Sequence, residues 1–486
     1  MAEPGHGKSL DSPGFRESAD RMAEWIEAYR ARLYELPVLS PVQQGDIKAA
    51  IPSEAPESPE DFESILADLD NTIVPGLTHW NHPGFMAYFC SSASDPGILA
   101  EFVTAAFNAN AMLWRTSPAG TELESRMIGW MRAFVGLPGE FDGVIQDTAS
   151  TSTFIALVAA RERAVPGVRE HGLAGLSTPG PFTVYGSQLA HSSLDKAVIA
   201  AGLGHENLRR VEVDDGYGMQ PSALETMLTE DKTSGRCPVM VCATIGTTSC
   251  ASSDPVEEIA EICARHGVWL HVDAAYAGPA ASLPEFRPLF AGWERADSIV
   301  LNPHKWMSVP LDCSVLLGRD LDLFRRSMAL TPAYLSSDDT TAPNLMDVGL
   351  ALGRRFRALK LWFVFRWYGA EGLREMIRRH CLLAREFADH VEADPRFELA
   401  APVGFSTVCF RTRAPTGWSE ETWNRRVLEG VNTAGVVFLS HTELDGRFTI
   451  RLTVGNVNTE RSHVKDAWDS LSTSLDALST IPAPDQ

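Results

Sequence analysis

Lysine is scarce in this 486-residue chain. Of its 42 basic residues only seven are lysines (Lys8, Lys48, Lys196, Lys232, Lys305, Lys360 and Lys465), and the rest are arginine. The skew is a coding habit, but it makes each amine easy to inspect. Positive charge is short altogether: 63 Asp+Glu outnumber 42 Lys+Arg, for a net charge of −21. Such a chain is repelled by nucleic acid and by anionic membranes. Its eight cysteines include no CxxC pair and read as a reduced, intracellular set. Its thirteen histidines form no HExxH or similar spacing, so no metal centre is expected. There is no apolar run of ~18 residues, so no membrane span is expected. The stretch Met1–Gly14 is polar with Pro and Gly, unlike a signal or transit peptide. A soluble, cytoplasmic protein of two or three domains is the expectation.

What is present is alternation. Strand candidates are Gly143–Gln146, Phe182–Tyr185, Leu208–Val213, Val239–Ile245, Val268–Val272, Ser298–Leu301 and Ser314–Leu317. Helical patterns lie between several of them, at Thr151–Val165, Ser193–Gly202, Ser222–Glu230 and Val256–His266. This predicts an α/β domain on a mostly parallel sheet, where ligands bind at the carboxyl ends of the strands. Before it, one helical face carries Phe15, Met22, Ile26, Tyr29 and Leu33, and a second carries Phe62, Ile65, Leu66 and Leu69. Two such short helices bury little on each other, so they are expected to pack on another domain or subunit. Beyond Gly353 a helix with Phe356, Leu359, Phe363 and Trp367 on one face should end near Gly369. Strands at Ser406–Arg411, Val436–Ser440 and Phe448–Leu452 and a last helix through Val464, Trp468, Leu471, Leu475 and Leu478 suggest a smaller α+β domain. Residues 1–13 and 481–486 read as disordered.

Five motifs fall at strand ends. Asn302-Pro-His-Lys-Trp306 places Lys305 between an imidazole and an indole, where desolvation frees an amine as a nucleophile; the alternative is a loop lysine at the surface. His271-Val-Asp-Ala-Ala-Tyr276 sets Asp273 where a carboxylate needs a cationic partner, either a protonated pyridine nitrogen or a nearby arginine. Gln146-Asp-Thr-Ala-Ser-Thr-Ser-Thr153 offers hydroxyls and free N–H groups at a helix start, for a phosphate or for capping alone; Asp147 argues against the phosphate. His191 either stacks on an aromatic ring or caps the next helix. Thr244-Ile-Gly-Thr-Thr248 lines the same region or forms a plain turn. Together these motifs supply what pyridoxal 5′-phosphate (PLP) needs: an anchor, a stacking partner, a partner for the pyridine nitrogen and a Schiff-base amine.

At this point the sequence resembles the group II PLP-dependent amino-acid decarboxylases, and most of all aromatic-L-amino-acid decarboxylase. The resemblance runs from about Phe15 to Leu478. It rests on Val74-Pro-Gly-Leu-Thr-His-Trp80, His82-Pro-Gly-Phe85, Ser117-Pro-Ala-Gly-Thr-Glu-Leu-Glu124, Gly143-Val-Ile-Gln146, Trp269-Leu-His-Val-Asp-Ala-Ala-Tyr-Ala-Gly278, Asn302-Pro-His-Lys-Trp306 and Leu352-Gly-Arg-Arg-Phe-Arg357. It implies the aspartate-aminotransferase-like fold (PLP fold type I). The expected parts are an N-terminal helical segment, 1–85, wrapping a partner subunit, a PLP-binding α/β domain, 86–365, and an α+β domain, 366–486. The assembly implied is a homodimer with its active site at the subunit interface.

By the same resemblance Lys305 bonds the cofactor, His191 stacks on its ring, Ala275 packs on the opposite face and Asp273 pairs with the pyridine nitrogen. Ala149, Ser150, Asn302 and His304 contact the phosphate, with Thr148 and Thr248 close by. Tyr334, in Pro332-Ala-Tyr-Leu335, is the implied acid on a closing lid that continues through Ser336–Asn344. A phenylalanine there accompanies oxidative deamination in some relatives, so Tyr334 favours simple decarboxylation. Trp80, Tyr88, Phe89 and Ser91 match the aromatic side-chain pocket. Gly353 leaves space where some tyrosine-preferring relatives carry serine. Departures cluster around that pocket: Cys90 replaces a proline, Asn110 and Met112 stand where aliphatic and aromatic residues reach in from the neighbouring subunit, and Arg115 follows Trp114. Arg115 is expected in a structural ion pair or facing a polar side chain of the substrate. The function expected is decarboxylation of an aromatic L-amino acid to its amine and CO₂. The alternatives are an aldehyde synthase, a decarboxylase for a non-aromatic acid, or a catalytically silent binding protein.

Overall fold

The computed structural model describes residues 14–175, 180–330 and 344–483. Tyr334, nearly all of the expected lid, the stretch 1–13 and residues 484–486 lie outside the described residues.

The expected strands form one seven-stranded sheet in the order β1-β7-β6-β5-β4-β2-β3. The strands are β1 (Asp142–Gln146), β2 (Phe182–Ser187), β3 (Leu208–Val211), β4 (Cys237–Thr244), β5 (Trp269–Asp273), β6 (Ser298–Leu301) and β7 (Ser314–Gly318). Neighbours among β3, β2, β4, β5 and β6 pair in parallel. Only β7 runs against the rest, pairing antiparallel with both β6 and β1. The carboxyl ends of the other six therefore share one edge. Helices cover both faces, which is why the central strands are buried along their whole length: every residue of β2, β5 and β6 is buried. One core packs Val241, Val272, Ile299 and Leu317 with Met127, Ile259 and Leu361. The other packs Val184, Met240 and Leu316 with Ile155, Val198 and Phe324.

A four-stranded antiparallel sheet follows, in the order β10-β11-β9-β8. Its strands are β8 (Phe397–Leu399), β9 (Thr407–Thr412), β10 (Ser440–Leu444) and β11 (Arg447–Thr453), backed by the helices Glu420–Thr433 and Arg461–Ser479. Two expectations need correction here. The segment expected as a strand at Val436–Ser440 pairs elsewhere: Phe438 N–H donates to Gly84 O, and Met86 N–H to Phe438 O. The ladder strand β10 therefore starts only at Ser440. Trp367 is 62% exposed, off the buried face predicted for it. The helix expected to end near Gly369 does break there, at φ +67° and ψ 167°, and a second helix follows to Ala393. Glycine tolerates that positive φ.

The first helix, Phe15–Ala31, buries no residue. It touches the chain through polar edges: the Trp25 indole donates to Asp70 at 3.1 Å, and the Tyr29 hydroxyl lies 2.9 Å from His79 Nδ1. Its Met22 and Ile26 line an apolar groove with Leu99 and Phe102 of the helix Asp95–Phe107.

Two sequence landmarks without an assigned role meet beneath β1. Arg354 donates from Nη2 to Glu124 at 2.9 Å and to Ile145 O at 2.7 Å, while Ile145 N–H donates to the same Glu124 oxygen at 2.8 Å. Both side chains are buried. Removing one partner strands the other charge in the interior. Arg354→Met should therefore destabilise the protein by roughly 3–5 kcal/mol, and the double variant Arg354→Met/Glu124→Leu by clearly less. Denaturant titration of both decides it: equal losses would show that the two charges do not act as a pair.

Candidate active site

The six co-directed strands deliver the sequence-predicted residues to one edge. After β1, Thr148 caps the helix Ala149–Ala164 in extended conformation, its Oγ1 3.5 Å from the N–H of Thr151. The first-turn N–H groups of Ala149 and Ser150 have no acceptor within the helix, which makes the turn an anion site. Asp147 folds back, its Oδ1 accepting the N–H of Thr148 at 2.7 Å. After β2 comes His191. Ser193 N–H donates to its Nδ1 at 3.1 Å, so the neutral ring carries its proton on Nε2. After β4, Gly246 at φ +82° brings the turn against Ala277, where a Cβ would lie 2.7 Å from the Ala277 Cβ. Thr248, half-buried, follows it.

Asp273 is the last residue of β5. Its Oδ1 accepts the N–H of Ala275 at 3.0 Å, and its Oδ2 has no partner among the described residues. His271, two residues earlier on the same face, is locked in place. The Trp269 indole donates to Ser298 Oγ at 2.8 Å, and the same oxygen is hydrogen-bonded to His271 Nδ1, also 2.8 Å away. After β6, Lys305 N–H closes a turn onto Asn302 O at 3.0 Å. His304 accepts the N–H of Cys313 on Nδ1 at 2.9 Å, which leaves its proton on Nε2.

Two of the described lysines lie in or near the core, Lys360 buried and Lys305 half-buried, and their surroundings differ. Lys360 is 1% exposed and paired with Glu101 at 2.5 Å. Lys305 has no carboxylate within ion-pair distance among the described residues; its Nζ sits 5.3 Å from the centre of the Phe89 ring. Burial pushes the Lys305 amine below its ordinary value, Asp273 opposes that, and the Arg451 guanidinium adds to it. Burial likewise lowers His191, against the pull of Asp273. It pushes His304 down to about 3 and His271 to about 4.

The substrate-pocket residues fall into two groups. Trp80, Phe85, Tyr88 and Phe438 form one aromatic cluster, with Trp80 and Phe85 stacked at 4.3 Å. Phe89 turns inward and stacks on Tyr276 at 3.7 Å, and Tyr276 stacks on Trp306 at 4.5 Å. Just beyond half-buried Ser91, Ser92 Oγ meets Ser308 Oγ at 3.0 Å and ties this segment to the Lys305 turn. The second group is Asn110, Met112 and Gly353: Asn110 Oδ1 accepts the N–H of Arg354 at 2.9 Å, its amide reaches Met112 Sδ at 3.5 Å, and a Cβ on Gly353 would meet nothing within 4 Å. No contact joins the two groups among the described residues. Arg115 is exposed and makes no ion pair there, contrary to one of its expectations. Cys90 is buried, its thiol directed at Trp80 O.

Sequence reasoning missed two residues that shape the site. Asp254, fully buried, accepts the N–H groups of Thr244 and Met219 at 2.7 Å each and so fixes the end of β4. Arg451 lies over the Phe89 ring. An arginine within the apolar run of β11 was the available signal.

With the geometry in place, likeness to known proteins can be stated. Residues 44–413 match the family model for the pyridoxal-dependent decarboxylase conserved domain. The chain is 40% identical to tryptophan decarboxylase 2 of Oryza sativa subsp. japonica over 477 residues, 96% of this chain and 95% of that one. It is 39% identical to phenylacetaldehyde synthase of Arabidopsis thaliana, covering 96% and 97%. The crystal structure of Oryza sativa TDC with PLP and tryptamine matches at a TM-score of 0.93 with 35% identity, covering 97% of this chain and 100% of that one.

The buried imidazoles make a prediction. In the unfolded chain they titrate near 6.5, while His304 folds at about 3. Between those values the unfolded chain binds more protons. The stabilisation is present above pH 6.5 and is lost as pH falls, by roughly 1.4 kcal/mol per pH unit for each such histidine. His304→Gln should flatten the dependence of unfolding free energy on pH between 6 and 5 by about that slope. An unchanged slope would mean that His304 is protonated in the folded protein.

Proposed function

The chain belongs to the pyridoxal-dependent decarboxylase family and is a PLP-dependent carboxy-lyase, and we propose that it converts an aromatic L-amino acid to the corresponding amine and CO₂. The observation that carries this reading is Lys305, a half-buried amine left without an ion-pair partner among the described residues, just past the carboxyl end of a parallel strand.

The residues at the strand ends fit PLP. Asp273 Oδ2 has no partner among the described residues, and the first-turn N–H groups of Ala149 and Ser150 have no acceptor within their helix. Thr148, Ala149, Ser150, Thr248, Asn302 and His304 would hold the phosphate. His191 and Ala275 would take the two faces of the ring, Asp273 the pyridine nitrogen and Lys305 the aldehyde carbon. When bound, PLP supplies a carbonyl for an amine and a ring that accepts the electron pair of the broken Cα–carboxylate bond.

The chain's own residues do the rest. Burial and the charge of Arg451 lower the Lys305 amine below its ordinary value, against the pull of Asp273, which brings its nucleophilic form within easier reach. Asp273 keeps an open carboxyl oxygen at which a proton on the pyridine nitrogen is held. His304 stays neutral and donates from Nε2. Tyr334 delivers the proton to Cα, as the sequence implies. Trp80, Tyr88 and Phe89 receive the substrate's aromatic side chain; Ser91, Asn110, Met112 and Gly353 complete the pocket. The assembly in this reading is a homodimer in which a second copy of the chain brings the two groups of pocket residues together, segment 1–85 wraps the partner, 86–365 binds PLP and 366–486 closes the unit. The exposed apolar groove between Met22, Ile26, Leu99 and Phe102 supports the same assembly. No described helix is long and apolar enough to cross a membrane; the location proposed is cytoplasmic.

The likeness to a phenylacetaldehyde synthase keeps a second reading, release of an aldehyde. Three measurements decide. Lys305→Ala should lose turnover and borohydride trapping of the cofactor; trapping that persists places the bond elsewhere. Tyr334→Phe should move product from amine toward aldehyde with ammonia and peroxide, and an unchanged ratio removes Tyr334 from the protonation step. In a panel of Trp, 5-hydroxy-Trp, Phe, Tyr, DOPA, His and Glu, CO₂ release should be confined to aromatic members. Release from Glu alone would overturn the substrate class.

A further inference from the structure

Arg451, on β11, is a buried cation with an unusual set of partners. It is 2% exposed. No carboxylate lies within ion-pair distance among the described residues, although another buried arginine, Arg354, has one. Its Nη1 donates to Tyr88 O at 2.5 Å and reaches Ser440 Oγ at 3.4 Å. Its Nε and Nη2 have no acceptor and no contact with solvent. Its guanidinium carbon lies 4.7 Å from the centre of the Phe89 ring. Tyr276 covers one face of that ring at 3.7 Å, in near-parallel planes. The guanidinium therefore takes the other face, which it shares with the Lys305 amine at 5.3 Å.

Leaving a guanidinium without a counter-ion is costly, and the return for it is local. Tyr88 sits at φ +50°. A bulky side chain in the left-handed region persists only when its surroundings hold it. Here both sides of the residue are held: its N–H donates to Ser440 Oγ at 3.1 Å, and its C=O accepts from Arg451. The reversal at Tyr88 sends its own ring outward to Trp80 and Phe438 and the next ring, Phe89, inward to Lys305.

We propose that Arg451 is a positioning residue for substrate selection: with Ser440 it locks Tyr88 in its left-handed conformation and clasps Phe89 against Tyr276. The aromatic wall of the pocket thus stands at a fixed distance from the reacting amine. Direct capture of the substrate carboxylate does not fit the geometry, since Nε and Nη2 are sealed. A cation paired with the departing carboxylate would also stabilise the ground state and slow its loss. The inference rests on Lys305 and Phe89 belonging to the active site as proposed above.

The test uses Arg451→Lys, which keeps the charge and loses the fork, and Ser440→Ala, which removes the other half of the clasp. In cofactor-free protein, amide hydrogen exchange over residues 86–90 should quicken ten-fold or more in Arg451→Lys, with the β4–β6 peptides unchanged. In the holoenzyme, KM for the preferred aromatic substrate should rise about ten-fold in either variant while kcat falls less than three-fold, and the preference among Trp, Tyr and Phe should narrow. Wild-type exchange at 86–90 together with an unchanged preference overturns the proposal. A fall in kcat alone, with preference intact, overturns it too and assigns Arg451 to the chemistry. If the wild-type enzyme turns over no aromatic acid, the substrate reading fails, and exchange at 86–90 alone decides whether the clasp exists.

Discussion

Six strands of the central sheet point the same way, and the site depends on that shared direction. A parallel neighbour can be reached only by a crossover, so each strand that joins the sheet sends a fresh loop across the same edge. Thr148, His191, Thr248, Asp273 and Lys305 lie far apart in the chain and share nothing but this position. The price is that the central strands must be buried throughout, with a helix layer on each face. The single reversed strand, β7, lies between β1 and β6 and brings no predicted residue to the edge.

Charge is handled in two ways inside this protein. Arg354, Arg357 and Lys360 are matched with Glu124, Asp312 and Glu101, and they tie loops to the frame. Lys305 and Arg451 are left unmatched, and both lie over one aromatic ring. A π face attracts a cation without neutralising it. Phe89 can therefore hold two positive groups near each other while the lysine remains the one that gives up its proton, because a guanidinium does not. The ring is at once a wall of the side-chain pocket and a support for the reacting amine.

The sheet was legible in the sequence because buried parallel strands are short apolar runs with clear breaks between them. Val268–Val272 and Ser298–Leu301 were placed within one residue of β5 and β6. The candidate cofactor residues stood out as a group because polar groups directly after such runs have few structural reasons to be there, and the sheet brings them to one edge. The small sheet was harder. Phe397–Leu399 is too short to leave a pattern, and Val436–Leu439 has every strand signal but spends it on Gly84–Met86. The break at Gly369 was visible as a glycine. Asp254 was invisible because its importance lies in the backbone groups it holds, and Arg451 showed only as an arginine within the apolar run of β11, with nothing to say what it holds.

The pairing of Phe438 with Gly84 and Met86 has a consequence for how the chain is made. Tyr88 and Ser440, which extend that contact, are 352 residues apart. Closing a loop of that length is slow, and its reward comes only when the last part is present. During synthesis the 84–89 segment leaves the ribosome early, with Phe85, Met86 and Phe89 uncovered, and waits for nearly the whole chain before its partners exist. The central sheet can form meanwhile, but the aromatic pocket cannot. A translating ribosome therefore carries a nascent enzyme whose cofactor edge is assembled before its specificity is, and the waiting segment is the natural point for a chaperone to hold.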